Sequence, residues 1–208
     1  MRERLARSFF DRPALAVARE LLGKVLVRES ADGMVAGRIV ETEAYIGLED
    51  RASHASRGRT KRNAVMFGPP GHAYVYLIYG MHWCLNLVTE RAGVPAAVLL
   101  RALEPLEGLA LIRSRRPKAR RQRDLTSGPA RLCQAFAVDG SLNGADVCSP
   151  EAALFVEDRA LAVGTVVAAP RVGVDYAGEW AHRPFRFYEE ESAWVSVRRA
   201  KGAQRGPF

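Results

Sequence analysis

The sequence predicts an α/β protein of the α+β type: a single compact domain with a curved, mostly antiparallel sheet, flanking helices and a protruding β-hairpin. Its 208 residues suffice for one hydrophobic core, since a chain of this size buries about 70% of its unfolded surface. Short apolar stretches alternate with turn residues, which is typical of strands and hairpins. No internal repeat, low-complexity linker or shift in composition divides the chain, so residues 1–208 are expected to form one domain.

The first half of the chain predicts a helix followed by two hairpins. The helix is expected to begin near Asp11 and Pro13 and to end before Gly23, because proline favours a first helical turn and glycine follows helix ends. A polar loop at residues 47–62 separates the hairpins, and the second hairpin turns at Tyr79-Gly80. Apolar or alternating patterns predict strands at residues 24–28, 34–46, 72–77, 82–89 and 96–102.

The second half predicts two helices and then a return to short strands. Pro105 is expected to begin a helix that runs into a basic loop. Pro129, preceded by Ser127 and Gly128, is expected to begin the next helix, which ends at Asp139-Gly140. The remaining strands are predicted at residues 153–157, 165–171, 184–188 and 194–197.

Positive charge is concentrated in three short runs. The chain has 31 Lys and Arg against 23 Asp and Glu, a formal net charge of +8. Fifteen of these cations lie at residues 57–62, 113–123 and 198–205, and no acidic residue interrupts any run. A single run is usually a solvated surface, but three favour a polyanionic partner, because phosphates neutralised by a protein release condensed counterions. Charge alone leaves DNA, RNA and an anionic membrane surface open.

Several other classes of protein are disfavoured by the number and spacing of the cysteines and by the motifs that the sequence lacks. Cys84, Cys133 and Cys148 are odd in number and widely spaced, so we expect reduced thiols and no disulfide, zinc site or iron–sulfur cluster. No HExxH, P-loop, GxSxG or GxGxxG motif occurs. No apolar run reaches the ~20 residues of a membrane span, and the charged amino terminus is unlike a secretory signal. We therefore expect a cytoplasmic monomer without metal or cofactor.

The strand GRIVETEAYIG carries two carboxylates close together. A period of two places Glu41, Glu43 and Tyr45 on one face together with Ile39. The opposite face is wholly core-like and consists of Val40, Thr42, Ala44 and Ile46. The acidic face has two interpretations, a solvent-exposed side of the sheet or a functional site.

Three further features allow both a structural and a functional interpretation. Tyr74 and Tyr76 share a face of their strand, while Tyr79 lies at the hairpin tip, where it either packs on a loop or acts as a wedge between base pairs. Arg101 ends an apolar strand and needs a partner if it is buried. Asn86 lies within an apolar strand, where its amide needs hydrogen-bond partners.

Together these segments resemble the alkyladenine DNA glycosylase family, the 3-methyladenine DNA glycosylases of the mammalian type. Six blocks carry the resemblance over nearly the whole chain, in the order and near the spacing of that family. They are FFDRPALAVARELLGKVLV, GRIVETEAYIG with EDRASHAS, YVYLIYGMHWCLN, VLLRALEPLEG, LTSGPARLCQA and RVGVDYAGEWAHRPFRF. Linked blocks are far more specific than an isolated ETEAY.

The resemblance implies a monofunctional enzyme that hydrolyses the N-glycosidic bond of alkylated or deaminated purines in duplex DNA, without metal or cofactor. It implies that Glu43 is the general base that activates water. It also implies that Arg101 and the backbone carbonyl of Val172 help to hold that water. The few lysines lie outside the acidic and aromatic motifs, which favours water over an amine nucleophile.

The resemblance further implies how the damaged base is held. Tyr45, His54 and Tyr76 would enclose a purine flipped out of the helix, and Tyr79 would fill the gap that it leaves. Asn86 would disfavour purines with a guanine-type exocyclic amino group. Electron-rich aromatic walls suit a cationic alkylated purine through a cation–π attraction of roughly 0.5–2 kcal/mol.

Two other classes of function stay open at this point. A non-catalytic module of the same fold would bind nucleic acid without releasing a base. An RNA-modifying or formyl-transfer enzyme would prefer RNA or require a folate donor.

Overall fold

The computed structural model describes residues 3–198 and 204–205. In this part of the chain ten strands form one sheet, and all its strand pairings are antiparallel. The strands are β1 (Glu3–Arg4), β2 (Val25–Ser30), β3 (Gly33–Tyr45), β4 (Ala73–Ile78), β5 (His82–Val88), β6 (Ala97–Glu107), β7 (Leu154–Asp158), β8 (Val166–Ala169), β9 (Arg186–Glu189) and β10 (Gln204–Arg205). The predicted α+β class with an antiparallel sheet is confirmed.

The helices of the described residues are short and flank this sheet. The α-helices are α1 (Arg7–Phe10), α2 (Ala14–Glu20), α3 (Leu109–Arg115) and α4 (Pro129–Ala135). Single 3-10 turns lie at His54–Arg57, Ala64–Phe67, Gln122–Leu125 and Gly140–Leu142, and a kinked 3-10 segment lies at Asp175–His182. None of the helices in the described ranges combines the length and the apolar composition of a membrane span.

The long strand β3 organises the sheet. Along one edge β3 pairs first with β2 and then with β9, while β6 pairs with the other edge. The main path of the sheet runs β1-β7-β2-β3-β6-β5-β4, and β9 leads away from it to β8 and β10. Because two neighbours share one edge of β3, the sheet divides there and curves, and the second half of β3 lies at the junction.

The alternation predicted for β3 is wrong for Ile39. The pairing with β6 shifts register between Ile39 and Glu41 and again between Glu41 and Thr42. An extra residue in a bulge reverses the side to which all later side chains point. Ile39 therefore belongs to the same hydrophobic core as Ala44, and Thr42 donates a hydrogen bond to the Ala18 carbonyl in α2. Glu41 and Glu43 point away from that core.

The helix predicted to begin at Pro105 is also wrong, because β6 continues to Glu107. Pro105 lies opposite Gly37, beside a register shift where the ladder is already interrupted, and proline is tolerated there because it has no N–H to donate. The helix begins later, at Leu109, after Gly108 with φ +73°. A side chain on Gly108 would approach the Met34 carbonyl oxygen within 2.4 Å.

The strand predicted at residues 194–197 is wrong as well. This segment is irregular, and its backbone is held by side chains of the sheet. The Ser196 amide donates to Glu41 at 2.6 Å, and the Val197 carbonyl accepts from Arg186 at 2.8 Å. The helix that begins at Pro129 is confirmed, although it ends at Ala135, before the predicted stop.

The other predicted elements are confirmed with small changes of boundary. The first helix corresponds to α2, which packs Ala14, Val17 and Ala18 into the main core. The two hairpins are β2–β3 and β4–β5, with closing pairs Ser30–Gly33 and Ile78–His82. The cysteines are free, as expected, with Cys84 and Cys133 buried and Cys148 half-buried.

Candidate active site

Seven of the eight predicted site residues line a single cavity of about 400 Å³. They are Tyr45, His54, Tyr76, Tyr79, Asn86, Arg101 and Val172. The end of β3, the β4–β5 hairpin, β6 and the loop at residues 172–176 form its walls. The eighth residue, Glu43, is fully buried and contacts three of the lining residues.

Glu43 accepts contacts from three donors. The Tyr45 hydroxyl donates to its Oε2 at 2.9 Å, and the Val172 amide donates to its Oε1 at 2.7 Å. The Arg101 Nη1 lies 3.3 Å from the same Oε1. All three suit an ionised carboxylate, which only accepts hydrogen bonds. The resemblance implied a role for the Val172 carbonyl, whereas the contact seen with Glu43 is made by the amide of that residue.

The Tyr45 hydroxyl is a stable donor to this carboxylate. Burial and the neighbouring charge of Glu43 raise the pKa of Tyr45 well above its ordinary value. The phenol therefore stays protonated at neutral pH. The guanidinium of Arg171 lies 4.7 Å from the centre of the Tyr45 ring and contributes to its placement.

An aromatic cluster forms the wall of the cavity next to β4. The rings of His54 and Tyr76 lie edge to face with centroids 4.4 Å apart, and Tyr74 and Tyr76 are 5.2 Å apart. The Tyr74 hydroxyl lies 2.9 Å from the His54 Nδ1. Burial raises the pKa of Tyr74 to about 12, and burial with nearby arginines lowers the pKa of His54, so both rings are neutral at neutral pH.

Asn86 and Tyr79 also line the cavity, and they differ in exposure. Asn86 is buried on β5 and donates from its amide nitrogen to the Tyr74 carbonyl at 3.0 Å, which supplies the partner that the sequence required. Tyr79 lines the rim of the cavity and is 87% exposed, so no core contact holds it. Its φ of +50° and the +69° of Gly80 form the tight turn of the hairpin.

Four buried charged residues were given no role of their own by the sequence analysis, because a charged residue type does not reveal burial. Asp50 and Arg171 form a fully buried bidentate ion pair at 2.5 and 2.8 Å, and this pair supports Tyr45. Glu41 and Arg186 are also fully buried, with Arg186 Nη1 and Glu41 Oε1 2.7 Å apart. Their position within the blocks ETEAY, EDRASHAS and RVGVDYAGEWAHRPFRF was the only available signal.

The basic run at residues 57–62 lies beside the cavity. Arg57 and Arg62 line an adjoining cleft of about 410 Å³, together with Arg51 and hydroxyl groups and with no acidic side chain among its lining residues. In the run at residues 113–123, by contrast, Arg115 pairs with Asp32 and Arg121 pairs with Asp124. The third run lies largely outside the described residues.

The described residues contain no group of three or more His, Cys, Asp and Glu side chains that could hold a metal ion. The chemistry that the cavity offers is that of a buried carboxylate, an arginine and neutral aromatic rings.

Comparison with known proteins covers nearly the whole chain. Residues 8–193 match the family Methylpurine-DNA glycosylase (MPG). A protein of Methanocella arvoryzae, provisionally named 3-methyladenine DNA glycosylase, is 62% identical over 194 residues, or 93% of this chain and 96% of that protein. The DNA-3-methyladenine glycosylase of Homo sapiens is 50% identical over 93% of this chain and 68% of its own length. That of Mus musculus is 51% identical over 93% of this chain and 61% of its own length.

Proposed function

Since the chain belongs to the methylpurine-DNA glycosylase family, we propose that it is a 3-methyladenine DNA glycosylase that flips damaged purines out of duplex DNA and hydrolyses their N-glycosidic bond with a water activated by Glu43. The substrates proposed are alkylated and deaminated purines. We further propose that the protein acts as a monomer. Because its proposed substrate is duplex DNA, we expect it to lie with the nucleoid in the cytoplasm.

The observation that carries this proposal is the fully buried Glu43 directly behind an aromatic cavity. Cleavage of an N-glycosidic bond passes through a state with positive charge on the sugar, which a nearby carboxylate stabilises. Glu43 takes a proton from water as the oxygen bonds to the sugar carbon, and the electron pair of the broken bond leaves with the purine. An N-alkylated purine carries a positive charge beforehand and so departs as a neutral base.

The walls of the cavity suit a purine. Tyr45, His54 and Tyr76 would contact its faces, and a base stacked on an aromatic ring gains roughly 1–3 kcal/mol. This gain is comparable with the few kcal/mol that unstacking a base costs. Asn86 would face the purine edge and disfavour a guanine-type amino group. Tyr79, exposed at the rim, would enter the gap in the helix.

The direct test is a panel of duplexes that each carry hypoxanthine, ethenoadenine or 3-methyladenine. We expect free base to be released from at least one lesion duplex and not from the undamaged control, as measured by chromatography of the products. Binding without release from every lesion would favour the non-catalytic module instead. A requirement for RNA or for a folate donor would favour the third class of function.

The run at residues 57–62 is expected to contact the DNA backbone more than the run at residues 113–123. Replacing Arg57 and Arg59 together by Gln should reduce the slope of log K against log salt by about 1 to 2, because each phosphate contact contributes about 0.9. The matched variant replaces Arg115 and Arg121, which are paired with Asp32 and Asp124, and should change the slope by less than about 0.5. Fluorescence anisotropy over a salt series measures both slopes. An unchanged slope in the first variant would show that this run faces away from DNA.

A further inference from the structure

A second fully buried carboxylate, that of Glu41, lies behind the wall of the cavity. Its Oε1 accepts from Arg186 Nη1 at 2.7 Å and from Arg101 Nε at 3.1 Å. Its Oε2 accepts from the Ser196 amide at 2.6 Å. Neither carboxylate lines the cavity, but Glu43 contacts the lining residues Tyr45, Arg101 and Val172, whereas the contacts described for Glu41 reach the lining through Arg101.

The guanidinium of Arg101 bridges the two carboxylates. Its Nε faces Glu41, its Nη1 lies 3.3 Å from Glu43, and its Nη2 donates to the Ser196 hydroxyl at 3.2 Å. When two nitrogens of a planar guanidinium are held by hydrogen bonds, the direction of its third nitrogen is fixed as well. Glu41 and Ser196 therefore determine where the remaining nitrogen meets Glu43.

The charges of this buried group balance. Glu41 and Glu43 oppose Arg101 and Arg186, and none of the four residues is more than 6% exposed. Arg186 contacts Glu41 and backbone carbonyls, with no hydrogen bond to Glu43. Burial alone lowers the pKa of Arg101, but the charges of Glu43 and Glu41 raise it above its ordinary value.

We propose that Glu41 is a positioning residue for the glycosylase reaction. It holds the Arg101 guanidinium in place and offsets part of its positive charge, so that Arg101 contacts Glu43 without making that carboxylate a weaker base. This inference rests on the proposed function of Glu43. Without the charge of Glu41, the cations of Arg101 and Arg186 would act on Glu43 alone. Glu43 would then be harder to protonate and a weaker base.

Several other groups also face Glu43, and they stay unchanged when Glu41 is replaced. On its own strand this group is Tyr45, and on the facing elements the groups are Tyr76, Cys84, Arg171 and the Val172 amide. Since none of them changes charge, a displaced titration of Glu43 reports the loss of Glu41.

The test compares the wild-type chain with Glu41→Gln on a lesion duplex. We expect the single-turnover rate of base release to fall by about 10²-fold, as a displaced catalytic group produces. The acid limb of the pH–rate profile should move to lower pH, while the Kd for lesion DNA stays within about threefold. Glu41→Asp, which keeps the charge, should restore the acid limb to its wild-type position.

Glu189→Gln is the control, because Glu189 is 4% exposed and paired with Arg38 on β3 but does not contact Arg101.

A second readout does not depend on activity. Carbon-13 NMR of labelled glutamate carboxyl groups, with the Glu43 signal identified by its loss in Glu43→Gln, should show that Glu43 titrates at lower pH in Glu41→Gln than in wild type. Absence of base release by the wild-type protein would reject the proposed function, and the NMR titration would then still decide whether Glu41 limits the effect of Arg101 on Glu43.

Two results would overturn the positioning role: an unchanged Glu43 titration, or a wild-type rate per folded molecule in Glu41→Gln. If this variant fails to fold because Arg186 has lost its carboxylate, the double variant Glu41→Gln with Arg186→Gln keeps the buried group neutral. The double variant should still release base more slowly than wild type, because Arg101 no longer contacts the Glu41 carboxylate. A wild-type rate in the double variant would reject the role.

Discussion

Glu43→Gln is expected to lower the single-turnover rate of base release by about 10³-fold, within the range that a general base contributes. The amide has nearly the size of the carboxylate and can still accept from the Val172 amide, so the fold should be retained. It cannot take a proton from water, and it carries no charge to stabilise the developing sugar cation. Quenched single-turnover reactions on a lesion duplex measure the rate.

DNA binding separates this effect from a general loss of structure. The Kd of Glu43→Gln for the same duplex, measured by anisotropy, should stay within about threefold of wild type, because the lost interaction acts in the transition state. Glu189→Gln serves as the control for loss of a buried carboxylate that does not line the cavity. A Glu43→Gln protein as active as wild type would show that the mechanism proposed for Glu43 is wrong.

Tyr79→Ala is expected to lower base release from a lesion duplex by about 10- to 100-fold, since stacking on one aromatic ring contributes roughly 1–3 kcal/mol. The side chain is 87% exposed, so its removal should leave the melting temperature nearly unchanged. On a single-stranded substrate the rate should stay within about threefold, because no stack has to be opened. Parallel assays of both substrates measure the difference.

A control variant distinguishes a wedge from general loss of exposed apolar surface. Leu48→Ala removes another exposed large side chain, 54% accessible, that does not line the cavity, and it should leave both rates unchanged. Equal losses on duplex and single strand in Tyr79→Ala would instead indicate a structural role for the hairpin tip.

Local signals in the sequence were sufficient for the elements that present the site. Proline at the start and glycine at the end placed α2, and alternation with a Tyr79-Gly80 turn placed the β4–β5 hairpin. Both depend on interactions between residues that are near in the chain. The order of six linked motifs then predicted residues that the structure brings to one cavity, although they come from distant parts of the chain.

Predictions failed where a contact between distant residues decides the structure. Pro105 looks like a helix start, but its partner Gly37 keeps it in β6. The segment at residues 194–197 is apolar enough for a strand, but Glu41 and Arg186 bind its backbone. The face of Ile39 depends on a bulge that only the pairing with β6 reveals.

The sequence by itself determined the class of fold, the family resemblance and the residues of the aromatic cavity, because periodicity, turn residues and linked motifs are encoded along the chain. Only the tertiary structure decided that Glu41 and Arg186 share the buried ion pairs with Glu43 and Arg101, and that charges in the run at residues 113–123 are partly neutralised. The physical reason is that the electrostatic effect of a charged side chain depends on its burial and its partners. Both arise only when distant strands and loops pack together.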